Sequence, residues 1–179
     1  PEHLQPMIEF LALTGWRKSE ALGLQWRSVD FEGGVVRLNP DETKRGSART
    51  CPFRAHPRLK ALLEAQRERV RLIERGRARI VAHVFPKPDG ERIRDFYAAW
   101  RTACDAAGTP GSIPHDLRRG AARAMERAGV SRSVSMKLLG HRTTSIFERY
   151  AICTESDLAE GVARIAALET GAAMTEQKK

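Results

Sequence analysis

Four residues near the end of the sequence are of types that can hold and attack an anion: His115, Arg118, His141 and Tyr150. His115 and Arg118 stand one helical turn apart in HDLRRGAARAMERAG and would share a helix face. Pro114 before them and Asp116 in the first turn mark a helix N-terminus, the positive end of the helix dipole, where an anion binds well. Gly129 would end this helix, and Ser131 can cap a second one, SRSVSMKLL, which Gly140 would end. His141 then falls in a loop held by the helix end. Tyr150, nine residues on, closes a short helical stretch containing Ile146 and Phe147.

Taken singly, each feature has a plainer reading. A His and an Arg at a helix start are often a surface pair, Gly-His after a helix is often only a cap, and a Tyr between Arg149 and Ala151 is usually packing. Order and spacing together carry the weight. The stretch RAGVSRSVSMKLLGH also has the helix, Gly-containing turn and helix of a helix-turn-helix DNA reader, a regulator in which Tyr150 would have no task.

The elements that must position these residues can be read upstream. Leu4, Met7, Ile8 and Leu11 follow helical spacing over residues 2–13, with Gly15 where the helix would stop. A second helix begins near Lys18 and carries Ala21, Leu22 and Leu24. VVRL at 35–38 and RTCPF at 49–53 read as strands of a hairpin whose tip, within NPDETKRGSA, holds Lys44 and Arg45. Pro57 opens a long helix through Leu59, Leu62, Leu63, Val70 and Ile73. VF at 84–85 suggests a further short strand. Helical spacing resumes from Glu91 through Ile93, Phe96, Tyr97 and Trp100 to Gly108, and TPGSIP links to His115. The fold class is α+β: a mostly helical domain with a small antiparallel sheet near its N-terminal third.

The 179 residues suit one domain, expected over 1–170, with a disordered tail at 171–179. Thirty-one Lys plus Arg against 22 Asp plus Glu leave a net +9, which favours polyanionic partners such as nucleic acid. Cys51, Cys104 and Cys153 form no CxxC pair, so neither a disulfide framework nor a zinc site is expected. No apolar run approaches the ~18 residues of a membrane span and no leader is evident, so the sequence reads as cytosolic with no membrane partner. A start at Pro1, directly on a helical pattern, reads as the C-terminal part of a longer chain.

Three boxes in order, TGWRKSEALGLQW at 14–26, TKRGSARTCPF at 43–53, and HDLRR with LLGH and ERY at 115–150, resemble those of the tyrosine recombinases, the phage integrase family. The resemblance covers about residues 2–170 and implies the catalytic fold of DNA breaking-rejoining enzymes. The family's N-terminal DNA-clamping domain has no counterpart in the sequence, and Gly120 stands where many relatives carry Thr. The regulator reading leaves TGWRKSE and the hairpin Lys unexplained. A recombinase-like domain that binds DNA without reacting loses ground because all six expected active residues are present.

That resemblance implies the chemistry. Tyr150 attacks a DNA phosphodiester, leaving a 3′-phosphotyrosyl link and a free 5′-hydroxyl, and the stored bond is rejoined to a new partner without ATP, metal or cofactor. A phenol of pKa ~10 is phenolate in only about one molecule in a thousand at neutral pH, so neighbours must activate it. Arg17 and Arg118 grip non-bridging oxygens through planar forks, and His141 donates to the transition state. His115 accepts the Tyr150 proton or holds the phosphate, Lys44 protonates the leaving 5′-oxygen, and Glu20 buttresses Arg17.

Arg123, Arg132, Lys137 and Arg142 are candidate DNA-backbone contacts. His3, His56 and His83 fit no such position and are expected to be surface or structural. The implied partners are double-stranded DNA attachment sites and, in the synapse, a homotetramer built from free monomers, with accessory DNA-bending proteins as a further class. The expected place is the cytoplasm, at the nucleoid, and the natural setting a mobile genetic element. Leu158, Val162, Ile165 and Leu168 make one helical stripe in 157–169, which packs either on its own domain or, as the resemblance implies, on a neighbouring subunit.

Overall fold

Residues 5–14 form the first helix because apolar side chains recur every three or four positions and Pro6 sits in the first turn, where its missing N–H is no loss. The computed structural model describes residues 1–40, 46, 48–141, 155, 158, 159, 161–163 and 165–167. In it α1 spans Gln5–Thr14, after a 3₁₀ turn at Glu2–Leu4. The helices that follow are α2 (Lys18–Gly23), α3 (Pro57–Arg77), α4 (Tyr97–Ala106), α5 (His115–Arg127) and α6 (Arg132–Leu139).

Strands β1 (Val29–Asp30), β2 (Val35–Leu38) and β3 (Arg49–Pro52) make an antiparallel sheet in the order β1-β2-β3. Val36 pairs with Cys51 and Leu38 with Arg49. The period of two turns Val36 and Leu38 of β2, and Arg49 and Cys51 of β3, to the buried face. An arginine is therefore driven inward by the strand that carries it.

The main core joins Met7, Phe10 and Leu11 of α1 to Leu59 and Leu63 of α3, with Val36 and Phe85 between them. Helices α5 and α6 lie on the other side of α1, around a smaller cluster of Ala122 and Leu139. Gly15 permits their approach. It ends α1 in the left-handed region at φ 64°, and its N–H bonds Leu11 O at 2.9 Å. A Cβ there would lie 2.4 Å from Leu139 Cδ2 and 2.9 Å from Ala121 Cβ.

Three sequence expectations need correction. Val84 and Phe85 form no strand: Val84 N–H bonds Leu24 O at 2.9 Å beside an isolated Gln25–His83 bridge, and Pro86 then removes the next donor. Residues 91–96 are not helical. Arg92 bridges Pro86, Ile93 and Phe96 are buried from an irregular segment, and α4 starts only at Tyr97, where Asp95 accepts the Tyr97 N–H at 3.3 Å. Phe53 leaves the strand for a 3₁₀ turn at Phe53–Ala55.

His56 caps α3, its Nδ1 accepting from Leu59 N at 3.3 Å, and Cys51 and Cys104 are buried free thiols. Cys153 and the 171–179 segment lie outside the described residues. No helix among the described residues is long and apolar enough to cross a membrane.

Gly15→Ala should destabilise the fold by about 2–4 kcal/mol, from left-handed strain plus overpacking at Leu139. Denaturant unfolding checks this, and a loss under about 1 kcal/mol would contradict the close packing of α6 on the end of α1.

Candidate active site

The turn after α1 sets the first part of the site. Thr14 Oγ1 donates to Phe10 O at 2.7 Å and accepts the Trp16 N–H at 3.2 Å, and the left-handed Gly15 then reverses the chain. Arg17 follows as the extended N-cap of α2. Glu20, in the first turn of α2, takes the Arg17 N–H on Oε2 and Arg17 Nη1 on Oε1, both at 2.8 Å. Its Oε2 also accepts Arg49 Nη1 from β3. Glu20 is 3% exposed and Arg49 2%, so this ion pair is shut away from water.

Helix α6 ends in a Schellman motif: Gly140 at φ 66° donates to Lys137 O at 3.1 Å, and His141 N–H donates to Met136 O at 2.8 Å. The next three carbonyls lack intrahelical donors and carry the negative end of the helix dipole. Each takes a guanidinium. Arg49 Nη2 donates to Leu138 O at 2.5 Å, Arg118 Nη2 to Leu139 O at 2.6 Å and Arg17 Nη2 to Gly140 O at 3.2 Å. Arg118 Nη1 also donates to Gly15 O at 2.6 Å, so α1, α5 and α6 meet on one side chain.

Arg17, His115 and Arg118 line a common cleft of about 310 Å³ with Trp16, Lys18, Tyr97, Ile113 and Pro114. His115 lies in the first turn of α5, exposed, while Arg118 one turn on is buried. His141 is 8% exposed, with both ring nitrogens buried. Among the described residues, three guanidiniums face the one Glu20 carboxylate, leaving a positive field suited to an anion. Arg118 Nη1 and Nη2 each donate to a backbone carbonyl, which fixes the plane of the guanidinium beside the cleft.

Burial, aided by the same field, lowers both imidazoles. Burial first, then Arg118, Arg17 and Arg49, push His141 down to about 4. Burial, followed by Arg118 and Arg119, lowers His115 as well. A neutral His115 has a lone pair for a proton, and a neutral His141 keeps one N–H to donate.

Arg123, Arg132 and Lys137 are exposed on α5 and α6. Ser131 holds the N-cap position of α6 but makes no side-chain cap bond, its hydroxyl meeting Ser133 Oγ at 3.2 Å. Lys44, Arg142 and Tyr150 lie outside the described residues, as do Ile146, Phe147 and Leu168. Sequence reasoning missed Arg49. The signal was the alternation in RTCP: an inward Cys51 requires an inward Arg49.

Both histidines should resist protonation in the free protein. An NMR titration should find His141 still neutral at pH 5, and a midpoint at 6 or above would contradict the buried cationic setting. Because both imidazoles titrate lower when folded, the unfolded chain binds more protons between pH ~6.5 and ~4, so stability should fall as the pH is lowered through that window, which denaturant unfolding at several pH values checks.

The sequence profile of the phage integrase family matches residues 1–156. The chain is 28% identical over 175 residues to an integrase of Salmonella phage P22, covering 92% of this chain and 43% of that one. It is 33% identical over 159 residues to the tyrosine recombinase XerD of Mycobacterium tuberculosis, covering 86% and 49%. The chain thus spans about half the length of the curated relatives it matches. Among solved structures, the Tn1549 transposon integrase in complex with a circular intermediate DNA matches with a TM-score of 0.70 at 19% identity, over 91% of this chain and 59% of that one. A lambda integrase dimer bound to a COC′ core site matches at 0.65 and 19%, over 84% and 52%. The fold is that of tyrosine recombinase catalytic domains, and with the family profile matched across most of its length the chain belongs to the phage integrase family.

Proposed function

We propose that residues 1–170 are the catalytic domain of a site-specific DNA recombinase, the C-terminal part of a longer protein, which cuts and rejoins DNA through a 3′-phosphotyrosyl intermediate. The observation that carries this reading is the convergence of Arg17, His115 and Arg118 on one cleft with a surplus of buried positive charge. A scissile phosphate in that cleft meets two guanidinium forks, and charge growing on its non-bridging oxygens is stabilised by donors that the fold already holds in place.

In this mechanism the Tyr150 oxygen attacks phosphorus as its proton passes to neutral His115. The bond to the 5′-oxygen breaks, and Lys44 returns a proton to that leaving group. His141, whose buried ring stands in the field of Arg118 and Arg17, donates to the phosphate as charge grows on it. Reversal by another strand's 5′-hydroxyl completes the exchange, with no net change in bond type and hence no need for ATP.

The supporting contacts also weigh against a helix-turn-helix regulator. Arg118 of α5 and the end of α6 are turned into the domain, where a groove reader would present them outward. Double-stranded attachment sites are the partners this reading requires, with action in the cytoplasm at the nucleoid and accessory DNA-bending proteins where a site demands them. The described part of the C-terminal stripe, Leu158, Val162 and Ile165, is exposed. We assign it to packing on a neighbouring subunit in a DNA-bound homotetramer.

In the full-length protein, a nicked suicide substrate carrying its attachment site should trap a covalent adduct on a denaturing gel. Tyr150→Phe should abolish it, and Arg17→Ala or Arg118→Ala should slow it by about 10²–10³-fold, as for other oxyanion donors. An adduct that survives Tyr150→Phe, or none from the unaltered protein, would overturn the reading.

A further inference from the structure

Among the described residues, Arg49 is the most thoroughly buried cation outside those assigned to the reaction, and it touches both halves of the site. It is 2% exposed, and its guanidinium lies 4.9 Å from the centre of the Trp16 ring. Nη1 pairs with Glu20 Oε2, and Nη2 donates to Leu138 O at 2.5 Å. Gly140 rests against it as well: a Cβ there would be 3.1 Å from Arg49 Nε. Burial lowers this guanidinium only to about 10, so it is charged at neutral pH.

We propose that Arg49 is a positioning residue for strand cleavage: its planar fork joins Glu20, which orients Arg17, to the α6 carbonyl end, which orients His141. The proposal rests on the functional reading above. One rigid side chain fixes the spacing between a phosphate-gripping Arg on α2 and a donor beyond α6, two elements that are more than a hundred residues apart in sequence. It also fastens β3, the strand that follows the Lys44 tip by five residues, to the same point. A Lys could supply the charge at this position. It could not supply two divergent donors in one plane, so charge and fork are separable.

Arg49→Lys keeps the charge without the fork, and Arg49→Met keeps most of the volume with neither; the Met variant serves if the buried Lys does not fold. In the full-length protein, either folded variant should form the covalent adduct at least about 10-fold more slowly, while half-saturation with DNA stays within about 2-fold. Independently of activity, hydrogen exchange at the Gly140 and His141 amides should quicken at least about 10-fold while the α1 amides stay as they were.

Wild-type cleavage by Arg49→Lys, or DNA binding lost in step with rate, would overturn the proposal and leave the recombinase reading intact. If the unaltered protein formed no adduct, that reading would fall. Exchange at Gly140 and His141 would then decide whether Arg49 positions the helix end, unchanged rates refuting it.

Discussion

Three guanidiniums on three successive carbonyls at the end of α6 hold this molecule's site together. Leu138, Leu139 and Gly140 present the negative pole of a helix with no donors of its own left to meet it. Arg49 comes from the sheet, Arg118 from α5 and Arg17 from the start of α2. Each reaches the same helix end from a different direction, so α6 cannot shift without breaking charge-assisted bonds to three elements at once. The Schellman turn at Gly140 then fixes His141 one residue beyond the clamp.

The arrangement has an electrostatic consequence. Burying cations is costly unless carboxylates or dipoles offset them, and here one carboxylate and a helix pole do so only in part. The residual charge favours an anion and, after burial, adds to what keeps His141 from protonating. In the proposed function, a phosphodiester entering the cleft would supply the missing negative charge on preformed donors, leaving little reorganisation for the chemical step. On that proposal stability and function would draw on the same contacts, since the carbonyl bonds that close the helix also hold the arginines in place.

Much of this was legible in the sequence where the signal is local. Gly15, Gly129 and Gly140 all take positive φ at the helix ends their positions suggested, because a left-handed residue there closes the last turn. The α+β class and the hairpin followed from periods of 3.6 and 2. Nonlocal facts were harder. Ile93, Phe96, Tyr97 and Trp100 have helical spacing, yet the first two are buried from an irregular segment shaped by its pairing with the chain around Pro86. Arg118 was readable as a candidate for the site but not as a buried residue, since its carbonyl partner Gly15 lies 103 positions away. Arg49 was hidden for a related reason. A charged residue in a short strand reads as solvent-facing until Glu20 and the α6 end are known to wait on the inner side.

The central claim is that a phosphate is gripped by arginines that keep their hold on α6. It is tested most directly by a crystal structure of the full-length protein on nicked attachment-site DNA with vanadate in place of the scissile phosphate. The account predicts vanadate oxygens within hydrogen-bonding distance of Arg17, Arg118 and His141, Tyr150 Oη in line opposite the leaving oxygen, and Leu138, Leu139 and Gly140 still bonded to Arg49, Arg118 and Arg17. Vanadate bound away from Arg17 and Arg118, or guanidiniums that abandon those carbonyls to reach it, would contradict the account.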